Sequence, residues 1–95
     1  MNSPYAHERR SVARDADRRT HWRDALIRTR DQAAQMMGNT LSHRAYGHAY
    51  DAHQVAGEFI FADLPEQRLE AAARYCHAQV KSAMLAEQID LDGDW

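Results

Sequence analysis

Between Arg44 and Glu58 the chain carries a single charge, Asp51, while alanine returns at Ala45, Ala49, Ala52 and Ala56. Steps of four, three and four residues put those alanines on one flank of an α-helix. A helix with so few charges needs neighbours on most sides, and small side chains let those neighbours come close. The chain is thereby constrained to a helical bundle with this segment packed inside it. Phe59 continues the alanine seam, and an adjacent seam of Tyr46, Tyr50, His53, Gly57 and Ile60 repeats the heptad-like spacing. Gly47 and Gly57 each cost about 1 kcal/mol relative to alanine inside a helix. Close approach of a neighbouring backbone is the expected compensation.

Helical spacing recurs on both sides. Upstream, Trp22, Leu26, Thr29, Ala33 and Met36 form a stripe, weakening to Val12 and Ala16. It predicts a helix from about Ser11, with Ser3-Pro4 an alternative start. Gly38-Asn39 is the predicted stop, because glycine accepts the left-handed conformation past a helix end. Thr40 or Ser42 is placed to cap the second helix. Asp63-Leu64-Pro65-Glu66 resembles a capping box opening the third, whose inward stripe is Leu69, Ala73, Cys76, Val80, Ala83 and Met84. That helix is expected to reach Gln88 or Ile89, leaving 90–95 as an acidic tail with Trp95 available for docking. Strand signals are missing, and the short linkers imply antiparallel neighbours. The prediction is an all-α fold with three main helices in an antiparallel, up-down-up arrangement and an Arg-rich N-terminal extension. It is one domain over 1–95, with 1–10 and 90–95 as frayed tails.

Composition makes the core thin. Seventeen of the 95 residues are alanine, which forms helix well but buries little area. A chain this short already has a poor ratio of volume to surface. Help from a second copy, as a homodimer, or from a bound target is expected. Charge is polarised: residues 1–30 hold eight arginines against four acids, and residues 63–95 hold three bases against seven acids. Cys76 is the only cysteine, so no intrachain disulfide forms. With no apolar run of bilayer length and no signal-type opening stretch, the expected compartment is the cytoplasm, with no membrane partner.

Several apolar residues stand where one core cannot take them. Consecutive helical residues diverge by about 100°, so Phe59, Ile60 and Phe61 cannot all face inward. Leu26-Ile27 and Met84-Leu85 pose the same problem. Either the third helix covers Phe61, or these residues form an exposed patch for assembly or target binding. Aromatic anchors dominate interface energetics, which makes Phe61, Tyr46 and Tyr50 the candidate partner-binding residues.

Catalytic and metal chemistry find little to work with. His43, His48 and His53 are spaced by five and point apart on a helix. His48 and Asp51 are three apart and could share a face with His77 or Cys76, yet they form no known ligand pattern. The plainer expectation is surface histidines and an interior, hydrogen-bonded His53. Cys76 lies on the core stripe, where a thiol is inert. Arg44 and His48 stand too close in sequence for the Arg…His pair of helical ribonucleases. Asp90, Asp92 and Asp94 look like a calcium-loop fragment without its closing glutamate. No enzyme activity, no cofactor and no metal are expected.

Nucleic acid is the competing partner. Residues 32–44, with Ala34 four before Gly38, resemble the heart of a helix-turn-helix. Asn39 and Arg44 stand where that motif places apolar residues, and the implied recognition helix offers little for phosphates or base edges. Arg10, Arg14 and Arg18 share one face of the N-terminal arm and are candidate partner contacts. Glu8, Asp15, Asp17 and Asp24 dilute their field. The expected function is a small regulatory or inhibitory protein that binds a protein target through helix faces. Inhibitors and adaptors encoded by bacterial mobile elements share that general profile. The alternative is a DNA-binding transcriptional regulator using a divergent helix-turn-helix around residues 30–50.

Overall fold

A computed structural model of the chain describes the backbone of residues 4–92 and the side chains of residues 14–92. Among the described residues there are three helices and no strand: α1 (Pro4–Asn39), α2 (His43–Ile60) and α3 (Glu66–Asp92). Three residues link α1 to α2, five link α2 to α3, and each helix packs on both others. The predicted all-α, up-down-up bundle is the fold.

The alanine seam is what the bundle closes around. Ala45, Ala49, Ala52 and Ala56 are fully buried, and the seam ends on Ile60 rather than Phe59, which is half-buried. Leu26, Thr29 and Ala33 of α1 meet it, as do Leu69, Ala73, Cys76, Val80 and Ala83 of α3, each on its predicted stripe. Nine of the fourteen core members among the described residues are alanine, and of these fourteen only Leu26, Leu69 and Cys76 are large and wholly enclosed. Trp22, Met36, Met37, Val55, Phe59 and Leu64 close the core from its margins. Thr29, a buried hydroxyl, satisfies itself by donating to the Ala25 carbonyl at 2.8 Å.

Several local expectations are corrected. No glycine among the described residues has a positive φ, and α1 runs through Gly38 to Asn39. The stop is made by ordinary helical geometry, Thr40 N–H reaching the Met36 carbonyl at 2.9 Å. Neither Gly47 nor Gly57 marks a close approach, since a Cβ built on either meets nothing within 4 Å. The capping box does not form. Pro65, not Asp63, supplies the first carbonyl of α3, accepting from Leu69 at 3.2 Å, so Asp63 lies upstream of the cap. Asp63 and Glu66 turn instead to Arg19 and Arg18 of α1, each at 3.7 Å. Met84 is exposed rather than inward.

Two sets of polar contacts lock the ends. At one end Ser42 caps α2, its Oγ accepting from Ala45 N–H at 3.1 Å, and donates to the Asp90 carboxylate at 2.5 Å. Arg44 grips the same carboxylate through Nε at 3.3 Å and Nη2 at 2.5 Å. Asp90, expected in a frayed tail, is part of α3, which extends through Asp92. At the other end Arg23 donates to the Ala62 carbonyl at 3.0 Å, beside the Arg18 and Arg19 pairs. Arg14 and Arg18 stay exposed, and α1 continues past the bundle, which measures 71 × 20 × 16 Å with that extension.

Gly47 is exposed, in mid-helix and free of crowding. Replacing it, Gly47→Ala, should stabilise the fold by about 0.5–1 kcal/mol through helix propensity alone. Urea denaturation followed by circular dichroism measures it, and a loss of stability would show that the glycine answers some other demand.

Candidate functional site

The flank shared by α1 and α2 carries the predicted aromatics. Tyr46 and Tyr50 lie one turn apart on α2, their rings stacked with centroids 6.3 Å apart. Phe61 is the C-cap of α2, at φ −100° and ψ 0°, and is 86% exposed. The cap geometry turns it away from the core that takes Ile60. With Thr20, Arg23, Asp24 and Ile27 of α1 it borders a shallow hollow of about 460 Å³. Of the two outcomes open for Phe61, the structure gives exposure: α3 does not cover it. Along α2 this flank runs Tyr46, Tyr50, His53, Gly57, Phe61 without a formally charged side chain. Ile27 is exposed beside it.

The arginines divide. Arg14 is exposed, Arg18 reaches Glu66 at 3.7 Å, and the side chain of Arg10 lies outside the described residues, as does Trp95. Among the described residues, Arg14 and Arg18 are not gathered into one site with the aromatic flank.

The opposite flank of α2 holds a polar cluster that sequence reasoning placed only in part. Asp51 accepts from the Tyr75 hydroxyl and, at 2.6 Å, from Gln79 Nε2. His48 Nδ1 lies 3.0 Å from Gln79 Oε1, which fixes it as the donor, since that oxygen only accepts. His48 and Asp51 do share a face, but Tyr75 and Gln79 come from α3, not His77 or Cys76. The available signal was Asp51 itself, a lone charge in mid-helix that needs polar company from a neighbour. His53, expected to be hydrogen-bonded, is half-buried without a partner among the described residues; His48 takes that role. Below the cluster lies an apolar hollow of about 370 Å³, bordered by Val55, Phe59, Ala71 and Ala72. No three His, Cys, Asp or Glu side chains among the described residues come together as a metal site would require.

Hydrogen bonds from Tyr75 and then Gln79 hold the Asp51 carboxyl below its usual range, and Asp51 in turn raises the Tyr75 hydroxyl. The bond from Arg44, then that from Ser42, lowers Asp90 in the same way. Burial pushes the Cys76 thiol up to about 11, so it stays protonated and is no nucleophile at neutral pH. Among the described residues no helix is long and apolar enough to cross a membrane. No protein-family model, curated protein or solved structure matches the chain.

Two pH effects follow. Lowered carboxylates stabilise the fold above the unfolded carboxylate range and lose that contribution as pH falls through their folded values. The urea midpoint should therefore drop on acidification below about pH 4, and the double change Asp51→Asn, Asp90→Asn should flatten that drop. At the alkaline end, the native Cys76 thiol should resist a thiol-specific reagent at pH 8 and react on unfolding in urea. Rapid native labelling would contradict its enclosure.

Proposed function

We propose that this chain is a small regulatory protein of the inhibitor type, which acts by binding another protein through the flank shared by α1 and α2. The observation that carries the reading is Phe61, 86% exposed beside Ile27 and Ile60, with the stacked and exposed Tyr46–Tyr50 pair about three turns back along α2. A phenylalanine held in water at a helix cap contributes little to folding, whereas aromatic anchors of this kind supply most of the energy of an interface. A core made mostly of alanine adds to the case, because partner burial makes up for the area that alanine cannot bury. The same shortage favours self-association into a homodimer, and the lone buried thiol fits a reducing cytoplasm.

The regulator that binds DNA has less support. The recognition helix of that reading is α2, which is buried along its alanine face from Ala45 to Ile60. Its one cation near the turn, Arg44, already grips Asp90. Capture of a partner from bacterial lysate, with and without nuclease, tests both readings. Stoichiometric capture that survives nuclease and is lost in Phe61→Ala and Tyr50→Ala, with helical circular dichroism unchanged, is the expected result. Capture abolished by nuclease would sink the protein-binding reading in favour of DNA. A partner retained by both variants would move the interface elsewhere.

A further inference from the structure

The groove on the other side of α1, between α1 and α3, combines an apolar floor with unpaired positive charge. Two hollows of about 340 and 500 Å³ adjoin at Gln32 and His77, which border both, and lie end to end along the groove. Trp22, Ala25 and Met36 from α1 and Ala73 and Val80 from α3 give it apolar surface, Met84 stands exposed at its edge, and Gln32, Gln35 and Asn39 add polar groups along α1. Arg28 stands on one rim and His77 and Lys81 on the other, all three exposed. None of them has a hydrogen-bond or ion-pair partner among the described residues. Arg74 completes the cluster: it lies over the Trp22 ring, 5.4 Å from its centroid, while bridging to Glu70 at 2.8 Å. Among the described residues, Glu87 at the far end is the one carboxylate that lines the groove.

We infer that this groove receives an acidic amphipathic helix of a partner protein. From Trp22 to Asn39 the α1 wall spans about 25 Å at 1.5 Å per residue, room for roughly four turns of a docked helix. Such a helix would lay leucine-like side chains on Trp22, Val80 and Met84, in the manner of a helix seated in a hydrophobic groove. Carboxylates on both its flanks would meet Arg28 on one rim and His77 and Lys81 on the other. His77 and Lys81 are one helical turn apart, so acids four residues apart on the guest match them. A nucleic acid strand is the poorer fit, because phosphates gain nothing from an aliphatic floor and only Trp22 offers a face for a base. This inference does not depend on the Tyr46–Phe61 flank, which lies across α1 from the groove.

The probe is a synthetic helical peptide of eighteen residues with a leucine stripe and glutamates on both flanks. Its control is the same peptide with lysine for every glutamate. Binding is read from Trp22 fluorescence in a full chain carrying Trp95→Phe, which leaves Trp22 the sole tryptophan. The acidic peptide should shift that emission and bind at least about tenfold more tightly than the lysine peptide. Arg28→Glu with Lys81→Glu, both exposed changes, should reverse the preference, while Phe61→Ala should leave it intact. No Trp22 response at millimolar acidic peptide, or binding indifferent to the charge reversal, overturns the assignment. So does tighter binding of a poly(dT) oligonucleotide at the same groove. Sedimentation in which the charge reversal converts a dimer to monomer would give the groove to a second copy and overturn it as well.

Discussion

Helices can approach most closely where their side chains are smallest, and α2 exploits this along its whole length. Ala45, Ala49, Ala52 and Ala56 let α1 and α3 close onto it, which brings Leu26 and Leu69 into full enclosure. The same choice sets the limit of the fold. An alanine seam contributes contact but little apolar area, so the bundle holds few large residues inside and leaves Ile27, Tyr46, Tyr50, Phe61, Met84, Leu85 and Ile89 outside. Core and surface are thus two sides of one constraint: what makes α2 packable also makes the exterior apolar.

Polar chemistry is kept to the ends and to one flank. Ser42 uses its single hydroxyl twice, accepting from the first turn of α2 and donating to Asp90 near the end of α3. Arg23 and the neighbouring arginines hold the opposite linker. Between them, Asp51 is the one charge in the middle of α2, and Tyr75, Gln79 and His48 surround it in a connected set of hydrogen bonds. Each of these groups is paired across helices, which gives the arrangement a directionality that methyl groups cannot supply.

Periodicity made the helices and their inward faces legible, because burial follows the 3.6-residue repeat and little else. Leu26, Ala33, the four α2 alanines, Leu69, Cys76 and Val80 all lie where spacing puts them. The exposure of Phe61 was legible as one of two outcomes, since three bulky neighbours cannot share a direction. Details set by tertiary partners were not legible. Asp63 and Glu66 have the letters of a capping box, but Arg18 and Arg19 compete for them and Pro65 starts the helix later. Gly38 has the letter of a helix stop, yet nothing there requires a positive φ. The α1–α3 groove depends on Arg28 of one helix and His77 of another bordering the same hollow, a relation no local spacing encodes.

The hydroxyl of Thr29 bonds to its own helix, so among the described residues the middle of the bundle contains no interlocking polar contact between α1 and α2. Alanine faces are also shallow, with low ridges and little to catch on. The axial position of α1 against α2 is therefore held at the ends, whereas α2 and α3 are also tied at mid-length by Asp51 with Tyr75 and Gln79. Releasing the Ser42–Asp90–Arg44 contact would therefore loosen one end of the α2–α3 pair and leave its middle tied by Asp51.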